Sequence, residues 1–120
     1  VKDIPGLVRA AKDYGVDFVV VAPDDPLALG AVDALHAAGF ACFGPEKAAA
    51  RIEGSKVFAK SLMKKYGIPT AEYRAFSDQN EALSYLDTAK APLVVKADGL
   101  ALGKGVLICP TRKRKKRSYR

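Results

Sequence analysis

Apolar positions near the start of the chain recur at helical spacing. Ile4, Leu7, Val8 and Ala11 share one face, Asp3 is placed to cap the helix, Pro5 suits its first turn and Gly15 its end. The segment Asp17–Ala22 (DFVVVA) then runs apolar without alternation. That predicts a short strand buried on both faces, the habit of parallel sheets. Pro23-Asp24-Asp25-Pro26 breaks it, Leu27–Ala38 reads as a second helix closed by Gly39, and Phe40–Phe43 reads as a second strand before a turn at Gly44-Pro45. Strand, helix and strand in this order predict a right-handed crossover with the two strands parallel.

A third helix is expected over about 46–51, interrupted at Glu53-Gly54, and a fourth from Ser55 to about Tyr66, with Gly67 at its end. After Ile68-Pro69-Thr70 the pattern changes. Ala71–Phe76 alternates like a strand, and Ser77 or Asp78 can cap a helix running to about Thr88. Leu93–Ala97 and Val106–Cys109 read as strands flanking a glycine-rich loop, Asp98–Gly105. The expected organisation is an α/β unit over 1–50, a connecting helix and linker over 51–70, and a second unit over 71–110.

The 120 residues make about one domain's worth of chain, and an apolar fraction of 49% with mean hydropathy near zero supports a packed core. The longest apolar run, Phe18–Ala22, is far below the roughly 18 residues of a membrane span, and no signal-peptide pattern opens the chain. A start at Val1 rather than Met raises the expectation of a fragment. Two cysteines, Cys42 and Cys109, form no CxxC pair and no disulfide framework, which points to a reducing, cytoplasmic compartment.

The net charge of +7 resembles a nucleic-acid signature until it is located. Seven of the 20 Lys and Arg fall in Thr111–Arg120, which holds no acid, and the other 13 balance the 13 Asp and Glu. The body is neutral, and the excess belongs to the tail.

Two segments could carry chemistry. In Leu93–Val106, Lys96 stands in an otherwise apolar strand, and burying its ammonium would require an anion beside it. Gly99, Gly103 and Gly105 allow backbone N–H groups to approach an anion closely, with Lys104 adding charge. A plain hairpin, with Lys96 in solvent and the glycines serving only the turn, explains the spacing equally well. The segment lacks the Walker A pattern and, being followed by a strand, the Rossmann fingerprint. The second segment is Gly54-Ser55-Lys56, where Ser55 can cap a helix whose N–H groups suit an anion; an ordinary cap with a solvated lysine is the simpler reading.

Other features carry less. Asp24 and Asp25 follow the carboxyl end of a predicted parallel strand, where open α/β sheets bind ligands, yet an Asp-Pro turn accounts for them too. His36 has no evident partner. Tyr66, Tyr73, Phe76 and Tyr85 read as packing residues and Cys109 as an inert thiol.

Five stretches together resemble one family. They are Val19–Leu27, Phe43-Gly44-Pro45, Glu53-Gly54-Ser55-Lys56, Tyr66–Ala71, and Val95-Lys96-Ala97-Asp98-Gly99-Leu100-Ala101 through Gly103-Lys104-Gly105-Val106. In order and content they resemble the phosphoribosylamine–glycine ligase family of the ATP-grasp superfamily, over positions 1 to 109. The lysine-bearing segments are superfamily-like; Lys96–Ala101 is more specific to this family, and biotin carboxylases and D-alanine ligases would show a different glycine loop.

The resemblance implies a partial, Rossmann-like pre-ATP-grasp N-terminal domain followed by the beginning of an ATP-grasp domain. It implies a reaction in which MgATP phosphorylates the carboxylate of glycine and the amine of phosphoribosylamine attacks the acyl phosphate, in purine synthesis. By position, Lys56 and Lys96 would meet the nucleotide, and Asp98, Gly99, Gly103, Lys104 and Gly105 would belong to the loop over its phosphates. Pro23, Asp24 and Asp25 would lie near the phosphoribosylamine pocket. Where the family usually reads Gly-Pro-Glu-Ala-Pro, this chain has Ala22-Pro23-Asp24-Asp25-Pro26, a carboxylate one methylene shorter.

The resemblance also implies that the chain spans a quarter to a third of such an enzyme. The glycine-rich turn of the substrate pocket and the Glu and Asn that hold Mg2+ would lie outside it. The piece is therefore expected to be inactive alone, and its uncovered sheet edges favour self-association.

The tail has two explanations. Thr111–Arg117 could be a nuclear-localisation run or could bind nucleic acid or an acidic partner. Alternatively, the resemblance implies a helix rich in Glu and Ala after the strand ending near Cys109, and Glu-Ala-Glu-Glu-Ala written GAA GCG GAA GAA GCG and read one base late gives Lys-Arg-Lys-Lys-Arg, the string Lys113–Arg117. A frameshifted acidic helix is the favoured reading of residues 111–120, which as a basic tail would be disordered; nucleic-acid binding is the lesser one.

Overall fold

The computed structural model describes residues 2–101 and 105–110. The elements in chain order are α1 (Ile4–Asp13), β1 (Phe18–Val20), α2 (Asp24–Leu29), α3 (Ala31–Ala37), β2 (Ala41–Phe43), α4 (Lys47–Gly54), α5 (Lys56–Lys65), α6 (Gln79–Thr88), β3 (Leu93–Lys96) and β4 (Val106–Cys109). This is an α/β chain. It divides into two compact units, Val1–Leu62 and Met63–Arg120.

In the first unit, Asp3 caps α1 by accepting the Gly6 N–H at 2.9 Å, and the chain leaves the helix through Gly15 at φ +58°. β1 and β2 are parallel, with Phe18 opposite Ala41, Val19 opposite Cys42 and Val20 opposite Phe43. One face of the pair is covered: Val19 and Cys42 pack with Ile4, Val8, Leu27 and Phe40 against a core of Ala11, Val21, Ala31, Val32 and Leu35.

The expectation of a strand buried on both faces is corrected. Phe18 and Val20 are 57% and 62% exposed, and Phe43 is 68% exposed. These alternate side chains point away from the core, and nothing among the described residues covers them.

The predicted helix over Leu27–Ala38 is in fact two. It starts earlier, at Asp24, and breaks at Gly30, which adopts φ +89° and serves as both the end of α2 and the start of α3. Gly39, at φ +88°, closes α3 as expected. Gly44 does more than turn the chain. At φ +144°, a Cβ placed on it would lie 2.9 Å from the Val21 carbonyl oxygen and 3.1 Å from side-chain atoms of Leu27 and Val32. Its missing side chain lets the end of β2 lie directly on the end of β1.

The third predicted helix is not interrupted at Glu53-Gly54; α4 continues through Gly54. α4 starts without a cap from its own Glu46. Instead Asp33 of α3 accepts the Lys47 N–H at 2.8 Å.

In the second unit, Asp78 caps α6 by accepting the Glu81 N–H at 2.9 Å. β3 and β4 are antiparallel, pairing Leu93 with Cys109, Val94 with Ile108, Val95 with Leu107 and Lys96 with Val106. Ala82, Leu86 and Cys109 are buried. The strand expected over Ala71–Phe76 does not form. Alternation supplies a strand's faces but not its ladder, and the described sheets pair only β1 with β2 and β3 with β4. Tyr66 is 64% exposed rather than packed, with the Lys65 ammonium 5.1 Å from its ring, whereas Phe76 and Tyr85 do pair, their centroids 5.3 Å apart.

Candidate functional site

The candidate residues fall into two groups, one in each unit. In the first, the polypeptide leaves β1 through Val21 and Ala22 and enters α2 at Pro23, whose fixed φ of −72° suits a helix start. Asp24 and Asp25 occupy the first turn of α2, where carboxylates oppose the positive end of the helix dipole. This replaces the Asp-Pro turn by a helix terminus. Asp24 is exposed; Asp25 is half-buried and pairs with the Lys2 ammonium at 3.1 Å. Pro26 is buried and anchors the turn.

Lys56, in the same unit, is the first residue of α5 and half-buried. Ser55 caps that helix as expected, its Oγ accepting the Phe58 N–H at 3.1 Å. Ser55 also donates its own N–H to the Arg51 carbonyl at 2.9 Å, closing α4.

In the second unit, Lys96 is the last residue of β3 and exposed. The condition attached to a buried ammonium therefore does not arise here: Lys96 lies with Val94, Val106 and Ile108 on the open face of the ribbon. The ladder extends one step beyond it, the Ala97 N–H donating to the Gly105 carbonyl at 2.7 Å. Asp98 is exposed, and Gly99 sits at φ +88°, a conformation few side chains tolerate. A Cβ on Gly105 would lie 2.9 Å from the Ala101 Cβ and 3.0 Å from the Ala97 Cβ. Gly105 therefore lets the loop's base close on two alanines. Gly103 and Lys104, and the tail over 111–120, lie outside the described residues.

Several contacts link residues distant in sequence and left no local signal. They are the Lys2–Asp25 pair, the Asp33 cap on α4, and the Arg51 guanidinium 4.3 Å from the centre of the Phe58 ring. His36, read as partnerless, has its Nδ1 3.2 Å from Glu46 Oε1; both side chains are exposed. Among the described residues no group of three or more His, Cys, Asp or Glu could hold a metal ion, and neither cysteine is in a disulfide. No helix among them is long and apolar enough to cross a membrane.

Two family models match the chain end to end. The Phosphoribosylglycinamide synthetase N domain matches residues 1–53, and the ATP-grasp (A) domain of the same synthetase matches residues 54–119. The chain belongs to the phosphoribosylglycinamide synthetase family. It is 50% identical over 109 residues to phosphoribosylamine–glycine ligase of Haemophilus influenzae, covering 91% of this chain and 25% of that protein. The ligase of Allochromatium vinosum is 52% identical over 106 residues, again covering 25% of the relative. The chain thus spans about a quarter of the length of the curated ligases it matches.

The crystal structure of phosphoribosylamine–glycine ligase from Thermotoga maritima aligns with 82% of the chain at TM-score 0.64 and 36% identity, covering 23% of that structure. A biotin carboxylase domain of Hydrogenobacter thermophilus 2-oxoglutarate carboxylase, crystallised with MgADP, ADP and bicarbonate, aligns with 98% at TM-score 0.80 but only 21% identity, which is a likeness of fold. The synthetase-family boundary at 53/54 falls in the last turn of α4, nine residues before the division between the compact units at 62/63.

Proposed function

We propose that this chain contributes the later part of the N domain and the opening of the ATP-grasp domain to an ATP-dependent ligase. That ligase joins glycine to 5-phosphoribosylamine in purine biosynthesis, in the cytoplasm, releasing ADP and phosphate. One observation carries the reading: the two domains of a single synthetase match in order, back to back, across residues 1–53 and 54–119.

Within this reading each unit has a part. Pro23, Asp24 and Asp25 face phosphoribosylamine from the end of β1; short carboxylates on a helix start can accept hydrogen bonds from hydroxyls or an amine. Lys56 and Lys96 contact the nucleotide, mainly its phosphates. Asp98, Gly99, Gly103, Lys104 and Gly105 form the loop over the phosphates, acting through position and charge. The half-buried position of Lys56 at a capped helix start and the glycine geometry at Gly99 and Gly105 support these roles. Mg2+ would offset phosphate charge, and the Glu and Asn expected from the family to hold it would lie in other parts of the ligase.

The test is a chimera in which residues 2–110 replace the matching quarter of the Haemophilus influenzae ligase. It is expected to release ADP only when glycine and phosphoribosylamine are both present, while the 120-residue chain alone releases none. Folded chimera without that dependence would sink the assignment, and turnover by the isolated chain would sink the expected inactivity.

A further inference from the structure

The synthetase-family boundary assigns Lys56 to the ATP-grasp domain, but the packing ties it to the other unit. Compact unit one runs to Leu62 and so includes the first two turns of α5. α4 forms the tie. At its start, Asp33 of α3 accepts the Lys47 N–H at 2.8 Å. Near its end, Gly54 lies against α2, the helix that carries Asp24 and Asp25; a Cβ on Gly54 would touch the Ala28 Cβ at 4.0 Å.

The elbow from α4 into α5 is then closed by three contacts around Lys56. The Ser55 N–H donates to the Arg51 carbonyl at 2.9 Å, the Phe58 N–H donates to Ser55 Oγ at 3.1 Å, and the Arg51 guanidinium stacks 4.3 Å from the Phe58 ring centre. The first two occur at many helix junctions. The third does not follow from capping. It joins a side chain before the elbow to one after it, and so opposes rotation of α5 about the junction.

We infer that Arg51 and Phe58 are positioning residues that clasp the α4–α5 elbow and hold Lys56 in register with the helix bearing Asp24 and Asp25, so that the nucleotide lysine moves with the phosphoribosylamine unit. The inference rests on the nucleotide role proposed for Lys56. Arg51 has a second use, since a cation in the last turn of α4 suits the helix dipole. The variants must therefore separate charge from stacking.

The experiment uses the chimera that carries residues 2–110 within the Haemophilus influenzae ligase, which supplies the rest of the ATP site, and an acyl-phosphate derivative of ATP. A lysine lying against the terminal phosphate attacks the acyl carbon and is acylated as ATP leaves. Peptide mapping reads acylation at Lys56, with Lys12 of α1 as the internal reference and excess MgATP as competitor. In the unaltered chimera Lys56 is acylated and MgATP protects it.

Arg51→Ala and Phe58→Leu are expected to lower the protected acylation of Lys56 roughly three- to tenfold, with Lys12 unchanged. Arg51→Lys keeps the charge but loses the planar face, and is expected to fall in the same direction. Phe58→Tyr keeps the ring and should stay within about twofold of the unaltered chimera. A merely structural role would lower the melting temperature without this selective loss at Lys56 or the rescue by tyrosine. Equal protected acylation across all variants overturns the clasp and leaves the nucleotide reading standing. No protected acylation of Lys56 in the unaltered, folded chimera overturns the nucleotide reading, and the clasp's role with it.

Discussion

In the first unit Val19 and Cys42 sit on the covered face of a parallel pair, above a core of Ala11, Val21, Ala31, Val32 and Leu35. In the second unit the antiparallel β3–β4 ribbon likewise leaves one face open, with Val94, Lys96, Val106 and Ile108 exposed as Phe18, Val20 and Phe43 are in the first, but the buried residues described there are fewer: Ala82, Leu86 and Cys109. The connections cause the contrast. Parallel strands need a crossover, and the crossover helices bring their own apolar faces onto the sheet. A hairpin needs only a loop, and its strands can pair with little core beneath them. The carboxylates Asp24 and Asp25 thus stand at the end of a strand fixed by helix packing. Lys96 and Gly99 stand at the end of a ribbon with that smaller buried set, a scaffold expected to open locally at lower cost.

The largest effect that tests this contrast is a core truncation in each unit. Leu35 is 2% exposed in the core of the first unit, and Leu86 is 6% exposed in the second. Leu35→Ala is expected to cost about 3–5 kcal/mol, read as lost amide protection across β1, α3 and β2. Leu86→Ala is expected to cost about 2 kcal/mol, because fewer buried residues are described in the second unit and a less enclosed site can relax into the gap. Equal costs would mean that the second unit is as tightly packed as the first, and the contrast would fail.

Gly44→Ala is the next test. Its Cβ would enter a 2.9 Å contact with the Val21 backbone oxygen, at a φ of +144° that side chains avoid. Overpacking and strain together predict a loss of about 2–4 kcal/mol, visible in a thermal or urea melt. Gly99→Ala, at φ +88° with open space around the added methyl, should cost only about 1 kcal/mol. A reversal of that order would show that contact with β1 does not govern Gly44.

These positions also mark how far the pattern of residues predicts the structure. Asp3, Pro5 and Gly15 bound α1 from residues in or next to the helix, and Asp78 marks the start of α6 in the same way, so these ends were readable. Gly30 was not, because a lone glycine inside an apolar-periodic stretch is compatible with a continuous helix. What breaks the helix there is the left-handed turn at φ +89° that lets α3 leave α2. Ala71–Phe76 has the alternation of a strand but no ladder partner among the described residues, and pairing is not a local property. At the candidate site, the Ser55 cap and the glycine hairpin were legible from spacing, and the family from motifs. Lys2 beside Asp25, Arg51 over Phe58 and the tight seat of Gly44 were not, since each depends on chain brought from elsewhere by the fold.

The two aspartate caps refine the comparison at a smaller scale. Asp33 reaches α4 from another helix, whereas Asp78 caps its own helix from the preceding residue. Asp33→Ala and Asp78→Ala should each cost about 1 kcal/mol. Their reach differs. Loss of Asp33 should also raise amide exchange in α4 up to Gly54, because its contact joins two helices; loss of Asp78 should affect the first turn of α6 alone. Changes confined to Lys47 in the first variant would show that α4 holds its place without α3.

The smallest effect concerns the covered face of the parallel pair itself. Burial pushes the Cys42 thiol up from its ordinary value, since the thiolate would lose its water beneath α1 and α3. The folded chain therefore holds the neutral thiol more firmly than the unfolded chain does. The stability this contributes is complete below the unfolded thiol's pKa, about 8.5, and is lost as pH rises through the higher folded value. Cys42→Ala removes that dependence, so the gap between the unaltered chain and the variant should narrow between about pH 8 and 10. Alkylation should agree: at pH 8 Cys42 should react with iodoacetamide more slowly than in urea, and Cys109, fully buried, should be protected as well. A folded Cys42 that reacts as fast as the unfolded thiol would mean that the face beneath α1 and α3 is open to water, and the packed end of the comparison would lose its physical basis.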